Sequence, residues 1–144
     1  MNDEAQRWYA QGADDLGTAE ILLESERFGP CAFFCQQAAE KLLKSALYRA
    51  GERPWGHSVS SLLDQLCLVM KIDPSTAPQY EAQTLEEHYM RPRYPDARTD
   101  VDAQYGLEEA NEAMTNAHVV FTFVKENTAD VGDNPDDEAT ADMG

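Results

Sequence analysis

The stretch Cys31 to Ala50, CAFFCQQAAEKLLKSALYRA, carries apolar residues on two helical stripes. Cys31, Phe34, Cys35, Ala38, Leu42 and Ala46 form one; Ala32, Ala39, Leu43, Leu47 and Ala50 form the other. A helix apolar on more than one side has to be covered on several sides, which places this one at the centre of a bundle. Pro30 suits a first turn, where its missing N–H is no loss, and Gly51 followed by Pro54 supplies a stop.

Upstream, Asn2 or Asp3 can cap a first helix running to about Ser25, with a core stripe of Ala5, Trp8, Gly12, Leu16, Ala19 and Leu23. Asp14, Asp15, Glu20 and Glu24 mark its wet side. The segment ESERFGP breaks the period and turns the chain into the central helix, with Phe28 tucked under the corner. So short a link makes the two helices antiparallel neighbours.

Downstream, the loop GERPWGHS ends at Ser58, an N-cap for a third helix carrying Val59, Leu62, Leu63, Leu66, Val69 and Met70. Pro74 and Pro78 interrupt the pattern before a short helical piece around Tyr80 to Tyr89. MRPRYPDARTD cannot be a regular helix interior. A final helix from about Asp100 to Asn127 closes the bundle with Ala110, Ala113, Met114, Ala117, Val120, Phe121 and Val124. No strand alternation stands out, so the fold class is all-α: an antiparallel up-and-down bundle of four to five helices. One domain is expected over residues 1–127, followed by a disordered acidic tail over 128–144, where almost nothing apolar remains to bury.

Charge narrows the function. The net charge is −16, and six of the 27 acids lie after Asn127, which leaves 21 acids against 11 bases in the body. That excludes a broad, sequence-blind affinity for nucleic acid, which needs Lys and Arg on phosphates, but leaves room for a local basic site. Acidity spread over a surface with only four lysines also suits a high-salt interior, where screening removes self-repulsion. No apolar run is long enough to span a bilayer and MNDEAQRW lacks the regions of a signal peptide, so a cytoplasmic protein is expected. Cys31, Cys35 and Cys67 lie in apolar runs, a spacing that suits buried reduced thiols better than disulfides.

Two cationic groups stand out against this acidic background. Lys41 and Lys44, three apart on the central helix with Gln37 one turn before Lys41, are either part of a site or a solvated edge on which Glu40 pairs with Lys44. Arg91, Arg93 and Arg98 lie in a loop stiffened by Pro92 and Pro95 and flanked by Tyr89, Tyr94 and Asp96. Arginines beside aromatic rings offer a bidentate grip on phosphate and a stacking face. The plainer reading makes Arg93 and Asp96 a structural clamp. His57, before the cap Ser58, His88 and His118 share no metal-ligand spacing, and there is no Gly-rich phosphate loop or nucleophile elbow.

As a set, WYAQGADDLGTAEILL from Trp8, CQQAAEKLLKSAL from Cys35, GHSVSSLL from Gly56 and YMRPRYPD from Tyr89 resemble a HEPN domain. The resemblance covers the body from the first helix to the last. It implies a compact antiparallel bundle, usually a homodimer, often acting with a small nucleotidyltransferase partner. Some such domains bind nucleotides, while others are metal-independent ribonucleases, toxins among them, in which an Arg is followed four to six residues later by a His. This chain departs from that pattern: the histidine after the arginines is the distant His118, and His88 precedes them.

The leading expectation is therefore a non-catalytic domain that binds a nucleotide or a partner, with no cofactor and no metal. Its candidate residues are Gln37, Lys41, Lys44, His57, Tyr89, Arg93, Tyr94 and Asp96. Arg93 with Lys41 or Lys44 would hold phosphate, and Tyr94 or Tyr89 would stack on a base. The alternatives are an RNA-cleaving toxin-like protein, in which folding brings His57 or His88 to Arg93, and a purely structural assembly module.

Overall fold

A computed structural model describes residues 3–89 and 105–128. Within them the chain forms five α-helices and no strand: α1 (Asp3–Glu24), α2 (Phe28–Arg49), α3 (Val59–Met70), α4 (Gln79–Glu86) and α5 (Leu107–Thr128). Short 3-10 turns occupy Pro74–Thr76 and Glu87–Tyr89. None of these helices is long and apolar enough to cross a membrane. The expected acidic tail lies outside the described residues.

The two-striped pattern of α2 has the expected consequence. Thirteen of its 22 residues are buried, and it packs against α1, α3, α4 and α5. The core gathers Cys35, Leu42, Leu43 and Leu47 of α2, Leu62, Leu63 and Leu66 of α3, Leu85 of α4, and Val120 and Phe121 of α5. All three cysteines are buried and free, and the Cys35 thiol donates to Met114 Sδ at 3.3 Å, linking α2 to α5.

α1 runs antiparallel to α2, as the short link demands. Ser45 Oγ donates to the Ala5 carbonyl at 2.8 Å near one end, and Lys41 Nζ reaches Asp15 Oδ2 at 2.7 Å further along. The corner between the helices is a Schellman turn. Glu26 takes a left-handed conformation (φ 60°), its N–H donates to the Leu23 carbonyl, and the Arg27 N–H donates to that of Leu22. At the other end of α2, Gly51 (φ 86°) repeats the motif, with Gly51 N–H on the Tyr48 carbonyl and Glu52 N–H on that of Leu47.

Three expectations need correction. α2 begins at Phe28, so FGP belongs to its first turn and only the residues before it break the period. α5 begins at Leu107 rather than near Asp100, and Tyr105 and Gly106 precede it as non-helical chain. The start is marked by the Gly106 N–H, which donates to Glu109 Oε1 at 3.0 Å. Asp15, read as solvent-facing, is 8% exposed. Burial of a carboxylate is tolerable there because Lys41 answers it across the helix pair.

Candidate functional site

The polar residues of α2 do not lie on a wet edge. Gln36, Glu40 and Lys44 follow one another at four-residue spacing, so they line one face of the helix, and all three are buried. Gln36 Nε2 donates to Glu40 Oε1 at 2.9 Å, and Lys44 Nζ reaches Glu40 Oε2 at 2.9 Å. The Glu40–Lys44 pair expected from the sequence is thus present, but inside the bundle. Lys44 also lies 5.0 Å from the centre of the Trp8 ring, and Trp8 stacks on Tyr48 with centroids 6.3 Å apart. An ammonium held between a carboxylate and an indole face has little charge left to offer a ligand.

The loop before α3 completes this cluster. Ser58 caps α3 by accepting from the Ser61 N–H, and it bonds Glu86 of α4, which also accepts from Ser60 Oγ. That anchoring sets the residue just before it. His57 Nδ1 lies 3.0 Å from Glu40 Oε2, and its backbone carbonyl accepts from Gln36 Nε2 at 3.3 Å. The ring nevertheless remains open, with 61% of the side chain exposed. One face of it stacks on Tyr89, centroids 5.1 Å apart and planes within 12°. Tyr89 in turn meets Phe33 of α2 at 6.3 Å.

The structure therefore brings together Lys44, His57 and Tyr89 of the expected residues. Gln37 joins at the margin, donating from Nε2 to Gln36 Oε1 at 2.7 Å. Lys41 does not join; its charge is committed to Asp15 of α1. Arg93, Tyr94 and Asp96 lie outside the described residues. His88 is buried and its Nδ1 meets the Tyr105 hydroxyl at 2.6 Å, so it serves the core. His118 is an exposed residue 3.9 Å from Glu20 of α1.

Gln36 and Glu40, polar residues of α2 that the sequence leaves as either solvated or part of a site, are not among the candidate residues, yet a signal for them existed. Three polar residues at four-residue intervals in a helix apolar on two stripes cannot all reach water, so they must satisfy one another.

Comparison with known proteins decides the kinship of the chain. The sequence profile of the family described as HEPN domain matches residues 5–127. The chain belongs to the HEPN domain family. Among curated proteins, "Putative toxin MJ1304" of Methanocaldococcus jannaschii is 27% identical over 131 residues, covering 85% of this chain and 86% of that protein. Among solved structures, TT1696 from Thermus thermophilus superposes with a TM-score of 0.79 at 30% identity, covering 88% of this chain and 99% of that one. ST0689, described as an archaeal HEPN homologue, superposes with a TM-score of 0.70 at 27% identity, over 87% of this chain and 98% of that one. This HEPN chain thus spans nearly the whole length of the relatives it matches.

Proposed function

We propose that this HEPN domain is a non-catalytic binder of nucleotides or single-stranded RNA, acting as a homodimer with a nucleotidyltransferase partner in a toxin–antitoxin pair. The observation that carries the reading is the exposed His57 ring stacked on Tyr89, an aromatic surface suited to a base. The arginine-rich segment continues directly from it in sequence. Arg93 follows Tyr89 by four positions, so covalent chain length alone limits their Cα atoms to about 14 Å. A base on the rings and a phosphate on Arg93 are then compatible with one nucleotide. The relative that bears a toxin name supports the wider setting.

The test is titration of a labelled single-stranded RNA oligonucleotide with the protein in EDTA. Binding without cleavage is expected, and it should weaken in Tyr89→Ala and Arg93→Ala. Affinity unchanged in both variants would overturn the assignment.

One observation favours a second reading, that of a metal-independent ribonuclease. The Glu40–His57 pair has the layout of a general base and the carboxylate that orients it. RNA cleavage in EDTA that disappears in both Arg93→Ala and His57→Ala would establish that reading instead.

A further inference from the structure

Glu40 is an unusual group to find beneath an exposed ring. It is 3% exposed, and Lys44 already neutralises it, so the fold has no electrostatic need of a third partner. Yet Oε2 also takes His57 Nδ1 at 3.0 Å, and Gln36, bonded to the same carboxylate, holds the His57 carbonyl at 3.3 Å. Both the backbone and the ring of one loop residue are therefore gripped from inside the bundle. Tyr89 fixes the remaining freedom, rotation of the ring out of plane.

A carboxylate oxygen accepts only, so the atom facing it must carry hydrogen. In a neutral imidazole that places the single proton on Nδ1 and leaves Nε2 as a bare acceptor. Among the described residues nothing occupies Nε2. Two consequences follow for a ligand lying on this surface. Phosphate oxygens, which are themselves acceptors, gain nothing from neutral His57. The group that meets Nε2 has to be a donor, and at the edge of a stacked nucleotide the donor separating RNA from DNA is the ribose 2′-hydroxyl.

We infer that Glu40 is a positioning residue which holds His57 as its Nδ1–H tautomer, and that His57 Nε2 accepts a hydrogen bond from a ribose 2′-hydroxyl, selecting ribonucleotides over deoxyribonucleotides. The inference rests on the nucleotide-binding reading for its ligand, but not for its tautomer. Glu40 does not touch the ligand. It acts through the ring, and Gln36 and Lys44 hold it in place.

Two measurements test this separately. Long-range proton–nitrogen NMR of His57 in alkaline buffer should show the proton on Nδ1 without any ligand present. A ring protonated on Nε2 overturns the inference whatever the protein binds. Titration with single-stranded RNA and with DNA of the same sequence should give tighter binding to RNA, by up to about tenfold, the range of one hydrogen bond. His57→Asn keeps an N–H able to reach Glu40 but has no Nε2. It should retain the thermal midpoint and lose the preference for RNA. Equal affinity of the wild-type protein for RNA and DNA would overturn the hydroxyl contact. So would a preference that survives in His57→Asn. Binding of neither oligonucleotide would overturn the nucleotide-binding reading and the hydroxyl contact with it, while the tautomer assignment would still be decided by NMR.

Discussion

Gly12 of α1 lies against the backbone of α2 at Ala38: a Cβ on Gly12 would come within 3.2 Å of the Ala38 carbonyl oxygen and 3.3 Å of the Leu42 nitrogen. Those atoms belong to the central helix and cannot swing aside. Gly12 therefore sets how closely the two helices approach, and with it the reach of Lys41 to Asp15 and of Lys44 to Trp8. Gly17, on the same helix, has nothing within 4 Å of its would-be Cβ. The two glycines should respond oppositely to substitution. Gly17→Ala should stabilise by about 0.5–1 kcal/mol, because alanine is the better helix former. Gly12→Val should destabilise by about 1–3 kcal/mol through overpacking. Urea unfolding of both variants checks the contrast.

Lys44→Met should be among the most damaging single changes in the bundle. It keeps much of the side chain's volume but strips the buried Glu40 of its ammonium, and breaking a buried pair from one side costs about 3–5 kcal/mol. Lys41→Met removes a similar contact from a better-hydrated pair, with side chains 19% and 11% exposed, and should cost less. Comparing the two unfolding midpoints measures the difference that burial makes.

Acid stability should contain a contribution from Asp73. Its side chain accepts from the Ser75 N–H at 3.0 Å, capping the 3-10 turn Pro74–Thr76, and this hydrogen bond holds the carboxyl below the ordinary aspartate value. A folded value lower than the unfolded one means the carboxylate form favours folding. The contribution is present above the unfolded value of about 3.9 and fades as pH falls through the lower folded value. Asp73→Ala should flatten that part of the stability profile below pH ~4 and lower stability in the neutral range, with the difference from the wild-type protein fading in acid; urea unfolding across pH checks it.

Alkaline pH should act through Cys67. Burial, aided by Asp64 and Asp73, pushes its thiol up. The folded state therefore binds the proton more tightly than the unfolded chain does. Stability is fully present below the unfolded thiol value of about 8.5 and declines as pH rises above it. Because the thiolate is the reactive form, native Cys67 should also resist alkylation at pH 8 and react only on unfolding. Mass spectrometry after a timed iodoacetamide pulse, with and without urea, checks both states.

Much of the architecture could be read in advance because it depends on periodicity. The two apolar stripes of α2 require cover on several sides whatever covers them, and the core residues expected from α5 are buried, as are Val59, Leu62, Leu63 and Leu66 of α3, while Val69 and Met70 at its end are only partly buried. Ser58 is the α3 cap that its side chain predicts, and Gly51 ends α2. These are local requirements of backbone and burial, and the order of residues states them directly.

The site was less legible because its members come from separate elements. Lys41 and Lys44 look alike in sequence, three apart on one helix, but Asp15 of α1 takes the first and Glu40 with Trp8 takes the second. Asp15 shows the same effect, since only the arrival of Lys41 makes its burial tolerable.

The amino-acid sequence by itself determined the helices, their buried faces and the kinship carried by the motifs on them, because each depends on neighbours along the chain. The tertiary structure alone decided that Gln36, Glu40, Lys44, His57 and Tyr89 form one cluster. Hydrogen bonds and ring stacking act over a few ångströms in space, and only the packing of the loop before α3 and the turn after α4 against α2 brings those five side chains within that range.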